Sequence, residues 1–408
     1  MWLARLLCPF YLLAQLRKRR RSLFFRRWCP RPEDLPPAPR VWVHTLSVGE
    51  LQAAATLVEG LRRRFPQCHP VLTVATVSGY EAASRRFGER FAVYPGPIHC
   101  PEALRRYVSV IDPRLFILVE SDVWPDLLGW LRRRGVPLIF LNAALSEGSF
   151  RRLRRWPALA RCFFGAFEVI GTASPEDRRR FSVLNPGPRI LYLGNLKYDF
   201  PPPSEGEVEA LRRELGAYLS PPVIVCGSTH PGEEELLLEA RRRLSAGTLV
   251  LCPRRPERAL RVKALAEALG FRATLRSRPG PCEVLVVDTL GELRALYALA
   301  EVAFVGGTLV PVGGHNLLEP ASVGVPPVFG PYVESVSGVA GELEKAGGGF
   351  RVRIDPEDLV RTWRRVLRER SKAARAAREV WYRHRGALER HLDLLAPYLS
   401  GLSVRQSV

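Results

Sequence analysis

Pro201-Pro202-Pro203-Ser204-Glu205-Gly206 stands near the middle of a 408-residue chain and separates two runs of alternating strand and helix pattern. Three successive prolines remove backbone donors and fix φ, so neither a helix interior nor a central strand passes through them. Ahead of the break, short β-prone runs recur at Val41–His44, Val71–Val74, Phe91–Tyr94, Leu115–Val119, Leu138–Leu141 and Phe167–Ile170. Between them lie stretches such as Leu51 to Arg64, with apolar residues at helical spacing. Beyond the break the pattern restarts at Val223–Cys226, Thr248–Cys252, Val284–Val287, Val302–Val305 and Val325–Phe329. Strands alternating with helices argue for mostly parallel sheets covered on both faces. The expectation is an α/β chain of two doubly wound domains facing a cleft, with a helical tail from Asp358 to about Leu399. Its divisions are an apolar and basic segment over 1–30, a first domain over 31–200, a linker over 201–207 and a second domain over 208–385. A C-terminal helix over 386–408 then packs back toward the first domain.

Composition narrows the function. Nearly half the residues are apolar, which excludes a disordered chain. The formal charge of +20, carried mostly by Arg, suits a polyanionic partner such as nucleic acid, an anionic membrane surface or a phosphorylated substrate. Arg enrichment with a single Met also fits heat tolerance. The eight cysteines are scattered without a CxxC, which argues against zinc and against a disulfide framework.

Trp2 to Leu16 is apolar apart from Arg5 and Gln15, and Arg17-Lys18-Arg19-Arg20-Arg21 follows directly. Fifteen residues are short for a bilayer span, and a cleavable signal has its charge before the apolar stretch. Apolar-then-basic order suits a segment lying in an anionic membrane surface; the bland alternative is a first core helix with a solvated end.

Most candidate site residues stand just after strands, where open α/β sheets place ligands. Glu50 follows Thr45-Leu46-Ser47-Val48-Gly49 and reads either as a general base or as a first-turn Glu favoured by the helix dipole. Glu120-Ser121-Asp122 ends the apolar run Phe116–Val119, and two carboxylates there divide acid and base roles or, more plainly, start a helix. Lys197, in Gly194-Asn195-Leu196-Lys197-Tyr198-Asp199, meets a phosphate or sugar carboxylate, or forms a salt bridge with Asp199.

In the second half, Gly227-Ser228-Thr229-His230 offers small donors at a turn, with Ser228 and Thr229 as phosphate ligands or simple caps. Pro253-Arg254-Arg255-Pro256-Glu257-Arg258 offers guanidinium groups to an anion. Asp288-Thr289-Leu290-Gly291-Glu292-Leu293 presents backbone that can read a base edge. In Leu309-Val310-Pro311-Val312-Gly313-Gly314-His315-Asn316-Leu317-Leu318-Glu319-Pro320, the glycines allow close approach, and the spacing sets Asn316 and Glu319 on one face of a starting helix. Its N-terminus suits a phosphate and its carboxylate a ribose. The bland reading is an ordinary strand–turn–helix. Neither a Walker loop nor a GxGxxG fingerprint is present.

Val41-Trp42-Val43-His44-Thr45-Leu46-Ser47-Val48-Gly49-Glu50, Glu120-Ser121-Asp122-Val123-Trp124-Pro125 and Gly194-Asn195-Leu196-Lys197-Tyr198-Asp199 together resemble the motifs of the 3-deoxy-D-manno-octulosonic acid (Kdo) transferases of lipopolysaccharide assembly. The likeness continues through Gly227–Glu235, Pro253–Arg258, Asp288–Leu293 and Gly306–Pro320, in family order over nearly the whole chain. It implies a GT-B glycosyltransferase fold, two Rossmann-like domains with acceptor on the first and nucleotide on the second. The implied reaction is inverting transfer of Kdo from CMP-Kdo to a lipid A precursor of the lipid IVA type, without metal or other cofactor and without nucleic acid as partner. The implied setting is the cytoplasmic face of a bacterial inner membrane. The resemblance makes Glu50 the general base and Glu120 and Lys197 the transition-state stabilisers. It puts CMP on Pro253, Arg254, Leu290, Gly291, Glu292, Asn316, Leu317, Leu318 and Glu319; the strand-end residues Ser228, Thr229, Gly314 and His315 join that list. Departures from the family pattern are Arg255 in place of His, Ser121-Asp122 in place of Thr-Glu, Thr76-Val77-Ser78-Gly79 in place of Thr-Pro-Thr-Gly, and a missing Tyr-Asp-x-Pro element.

Two rivals stand beside this reading. One is a GT-B transferase moving another sugar, from a UDP donor, onto a lipid. The other is a non-catalytic basic protein binding membrane or nucleic acid, against which no stacking aromatics interleave with the Arg runs.

Overall fold

The computed structural model describes residues 21–120 and 123–400. The chain forms two compact units, one made of the chain up to Asp199 together with the segment from Arg385 onward, the other of Phe200–His384. The apolar stretch before the basic run lies outside the described residues. Among those described, no helix is long and apolar enough to cross a membrane. The end of the basic segment forms a helix, Arg21–Trp28, that is tied down: Arg27 is buried with its Nε donating to the Gly96 carbonyl at 3.0 Å, and Arg26 donates to the Tyr80 hydroxyl at 3.0 Å.

The first unit is built on strands β1 (Arg40–Thr45), β2 (His69–Val74), β3 (Ala92–Pro95), β4 (Pro113–Val119), β5 (Leu138–Ala143), β6 (Val169–Thr172) and β7 (Arg189–Tyr192). All pair in parallel, in the order β3-β2-β1-β4-β5-β6-β7. Central strands such as β1 and β4 are buried on both faces, which is why they are near-continuous apolar runs. On one face Trp42 meets Phe116 edge-on at 5.2 Å. On the other lies the helix Val48–Arg64, covered in turn by the last helix, Ala387–Leu399. Gly60 makes that contact possible, since a Cβ there would come within 2.8 Å of Leu388 Cδ1. Asp199 anchors the start of the last helix, accepting from the backbone N–H of Leu388 at 2.6 Å and of Gly386 at 3.2 Å.

The second unit carries β8 (Val223–Thr229), β9 (Thr248–Pro253), β10 (Ala273–Leu275), β11 (Val284–Val286), β12 (Val302–Val305), β13 (Pro327–Phe329) and β14 (Phe350–Arg351), again parallel, in the order β10-β11-β9-β8-β12-β13-β14. Ser204, inside the stretch read as linker, is the N-cap of a helix over Glu205–Leu215 and forms a capping box with Glu207. The helical tail is three helices, Pro356–Arg368, Arg370–His384 and Ala387–Leu399, of which the last belongs to the first unit. In each sheet the strand order reverses direction at one point, between β1 and β4 and between β8 and β12. Ligands of open α/β sheets bind beyond the carboxyl ends of strands at such points.

Candidate functional site

At the switch point of the first sheet, β1 delivers Glu50 and β4 delivers Glu120. Ser47 leaves the strand in extended backbone and the helix starts at Val48, putting Glu50 in its first turn. Glu50 is buried, and its Oε2 accepts from the Leu46 N–H at 2.7 Å and the Thr45 hydroxyl at 3.0 Å, which fixes the carboxylate's orientation. Glu120 ends β4 in left-handed backbone, φ 70°. Lys197 reaches it from the segment after β7, Nζ to Oε1 2.5 Å. Asn142, at the end of β5 with φ 51°, donates to the same Oε1 at 3.1 Å and to Asn195 Oδ1 at 3.4 Å, while its own oxygen accepts from the Leu196 N–H at 2.8 Å. Asn195 in turn accepts from the Lys197 N–H at 2.9 Å. Burial raises the Glu120 pKa, the Lys197 cation pulls it back, and the nearby Glu50 carboxylate adds to the rise.

The structure therefore brings Glu50, Glu120 and Lys197 together in one unit. The alternative pairing of Lys197 with Asp199 is not made; Asp199 caps the last helix instead. Ser121 and Asp122 lie outside the described residues, and the second carboxylate placed near Glu120 is Glu50. Asn142 is the member that sequence reasoning missed. An Asn closing an apolar strand is its only local signal.

In the second unit, β8 ends in Ser228, φ 56°, and Thr229. Gly227 is obligatory there, because a Cβ would lie 2.0 Å from the Tyr297 hydroxyl. Thr229 donates to Glu234 at 2.9 Å, and Arg258 clamps the same carboxylate with both guanidinium nitrogens, at 2.9 and 3.1 Å. Glu233, fully buried, accepts four backbone N–H groups: His230 and Gly307 on one oxygen, Thr308 and Leu309 on the other, at 2.8–3.0 Å. The turn after β12 is thus filled by the protein's own carboxylate.

Asn316 and Glu319 do not share a helix face. The helix is only Leu318–Ser322, and Asn316 precedes it, its side chain accepting from the Leu318 N–H at 3.0 Å. Leu317 and Leu318 are buried. His315, next to Gly314 with φ 87°, meets His230 Nε2 to Nε2 at 2.8 Å. Glu292 is committed to Arg276 at 2.8 Å and Thr289 at 2.5 Å, leaving backbone at Gly291, φ 91°, and the exposed Leu290 side chain to a ligand.

Several groups stay open, three of them at residues expected to meet the nucleotide. Among the described residues, the Ser228 hydroxyl, the exposed Arg254 guanidinium beyond Pro253, and the Glu319 carboxylate have no hydrogen-bond partner. Burial raises the Glu319 pKa against the charges of Arg294 and Arg254. A donor hydroxyl, a cation and an unsatisfied carboxylate stand at the ends of β8, β9 and the loop after β12, groups whose chemistry can meet an anion that also carries hydroxyls. The described residues contain no group of three His, Cys, Asp or Glu arranged around a common point for a metal ion.

Residues 17–200 match the profile of the 3-deoxy-D-manno-octulosonic-acid transferase (kdotransferase) family. The 3-deoxy-D-manno-octulosonic acid transferase of Haemophilus influenzae is 32% identical over 378 residues, covering 89% of this chain and 88% of the relative. The chain belongs to the Kdo transferase family. It is a glycosyltransferase, and the namesake from Bordetella pertussis is likewise 32% identical, over 386 residues, with 89% and 88% covered. The family's fold has the expected kin among solved structures: UDP-GlcNAc 2-epimerase from Neisseria meningitidis superposes with a TM-score of 0.60 over 88% of this chain and 100% of that one, at 13% identity. Two parallel sheets with helices on both faces, and that likeness, identify a GT-B fold.

Proposed function

We propose that this Kdo transferase moves Kdo from CMP-Kdo to a lipid A precursor of the lipid IVA type, by inverting displacement without a metal ion, at the cytoplasmic face of a bacterial inner membrane. The observation that carries the reading is the cluster of Glu50, Glu120 and Lys197 at the switch point of the first sheet. Glu50 takes the proton of the acceptor hydroxyl as it attacks the anomeric carbon of Kdo. Lys197, held by Glu120, whose carboxylate Asn142 fixes in turn, meets charge that builds up in the transition state without needing to reorganise. On the second unit, Arg254 and Ser228 take the phosphate of CMP, Glu319 accepts from the ribose, and the backbone at Leu290 and Gly291 lies against the base. A monophosphate leaving group asks for less positive charge than a diphosphate, which suits the Arg254 guanidinium and hydrogen-bond donors.

The test is turnover of CMP-Kdo with a tetra-acylated lipid A precursor in detergent and EDTA, following CMP release and lipid mass. The wild type should add Kdo to the lipid, and Glu50→Gln should lose at least about a hundredfold in kcat while still binding CMP. A Glu50→Gln enzyme with wild-type turnover removes Glu50 as the base. Dependence on an added divalent ion removes the metal-free mechanism. Tighter binding of UDP than of CMP favours a different donor.

A further inference from the structure

Between Glu147 and Glu168 the chain carries five arginines, Arg151, Arg152, Arg154, Arg155 and Arg161, and no acidic residue. The segment folds as two short helices, Glu147–Arg155 and Pro157–Phe164, that meet at Trp156. Pro157 dictates the corner: it has no N–H to continue the first helix, and it holds Trp156 out of helical backbone, φ −133° and ψ 74°. Phe150, Leu153, Ala160 and Phe164 pack inward on the core of the first unit. The outward side is a different matter. Arg154, Arg155, Trp156, Pro157, Ala158 and Leu159 are all exposed, without a break. Trp156 is 66% exposed, and no other tryptophan among the described residues is exposed. Leu159 and the half-buried Phe163 follow it at i+3 and i+7, so the three line one side of the second helix as an apolar ridge.

Charge without counter-charge rims that ridge. Arg151 pairs with Glu147 at 2.8 Å. Among the described residues, Arg152, Arg154, Arg155 and Arg161 have no carboxylate partner, and the Arg154 guanidinium stands over the Phe150 ring at 5.9 Å. In water such a corner is unfavourable twice over, because apolar surface is hydrated and like charges crowd together. A soluble polyanion such as nucleic acid offsets the charge but leaves Leu159 and Phe163 without an apolar partner. An anionic bilayer relieves both. Trp and Leu enter the headgroup boundary while the guanidinium groups stay on lipid phosphates.

We propose that the corner at Trp156 is a docking surface for an anionic lipid bilayer: Trp156 and Leu159 enter the headgroup region, and Arg152, Arg154, Arg155 and Arg161 meet lipid phosphates. This surface is separate from the apolar stretch Trp2 to Leu16. It goes beyond the reading above, which sets the enzyme at a membrane without naming a surface of the folded units. Only Ala144, Leu145 and Ser146 separate the helix Glu147–Arg155 from β5, the strand that delivers Asn142 to the Glu120–Lys197 cluster. Nine residues of helix span about 13 Å. A docked corner therefore keeps the carboxyl end of β5 near the lipid surface, where an acceptor anchored by acyl chains presents its sugar hydroxyl. That consequence alone rests on the lipid acceptor.

The experiment mixes the whole chain with phosphatidylcholine vesicles, with and without phosphatidylglycerol, whose brominated acyl chains quench nearby tryptophan. Trp156→Phe, run in parallel, isolates the Trp156 emission by difference, since every other tryptophan is common to both proteins. On anionic vesicles that emission should be quenched and shifted to the blue. Arg154→Glu with Arg155→Glu should lower partition into anionic vesicles at least about tenfold. The reference is Arg364→Glu with Arg368→Glu, an exposed pair on the second unit whose reversal changes net charge equally. Equal losses in the two double variants would mean that overall charge alone draws the protein to the surface, and overturn the proposal. So does Trp156 emission that stays unquenched while the protein sediments with the vesicles; contact through another segment would then still stand. Trp156 already shielded from acrylamide before vesicles are added lies against a second copy or another part of the chain, which refutes the docking surface. No partition into anionic vesicles at all overturns both the corner and the membrane setting beneath it.

Discussion

Glu120 and Asn142 are held in left-handed backbone at the ends of neighbouring strands, φ 70° and 51°. For residues with a Cβ that conformation costs about 1–3 kcal/mol each, and the surrounding contacts must over-determine it. They do, through one small network: Asn142 bridges Glu120, Asn195 and the Leu196 N–H, and Lys197 closes on Glu120. Asn142→Ala removes the bridge, leaves the buried Leu196 N–H without its acceptor, and should cost about 1–3 kcal/mol in urea unfolding. Because the same side chain sets the Glu120–Lys197 geometry, kcat should also fall at least about tenfold. On the proposed reading, which puts CMP on the other unit, its dissociation constant should stay put. A variant that is destabilised but turns over normally would make Asn142 a structural residue only.

At the scale of elements, most strands legible in the sequence are buried on both faces, because burial makes them continuous runs such as Val41–His44 and Val302–Val305; the edge strand β3 is legible through Phe91–Tyr94. The strands not legible are β7, β10 and β14, all at sheet edges, where half-exposed side chains break the apolar run. Site residues follow the same logic. Glu50 opens a helix, and Lys197 and Arg254 stand in turns, all in stretches of unusual composition, whereas Asn142 ends an otherwise plain strand. Glu233 looks like one of three acidic residues starting a helix, yet its partners Gly307, Thr308 and Leu309 lie 74–76 residues away, beyond any local pattern. That contact fastens the helix Glu233–Leu244 to the loop after β12. Glu233→Gln is nearly the same size, but its amide turns an –NH2 toward two of the four donors whichever way it lies. The expected loss is about 3 kcal/mol or more, with CMP affinity lowered as the loop bearing His315 and Glu319 loosens. Unchanged stability by urea titration would show that the loop holds itself.

For the whole molecule, the formal charge of +20 makes acid the direction of greatest sensitivity, since every added proton increases self-repulsion. Each unit also holds a histidine kept neutral by burial: His315 in the second and His391 in the first, both with pKa lowered to about 4. His391 is fully buried in the last helix, its Nδ1 donating to the Ala387 carbonyl at 2.7 Å and its Nε2 without a partner. In the unfolded chain the same ring takes a proton near pH 6.5. The unfolded state therefore binds more protons below that value, and the folded unit loses stability as pH falls from about 6.5 toward 4, by up to roughly 1.4 kcal/mol per pH unit. Above pH 6.5 the ring contributes no slope. His391→Leu puts an apolar side chain of similar reach in the same buried place and removes the titration. Its unfolding free energy, measured by urea at pH 7 and again at pH 5, should fall less than that of wild type, by about 2 kcal/mol. The test separates the two units because the His315 contribution is common to both proteins. Equal losses would mean that His391 is already protonated in the folded state and that the acid sensitivity comes from the second unit or from charge repulsion.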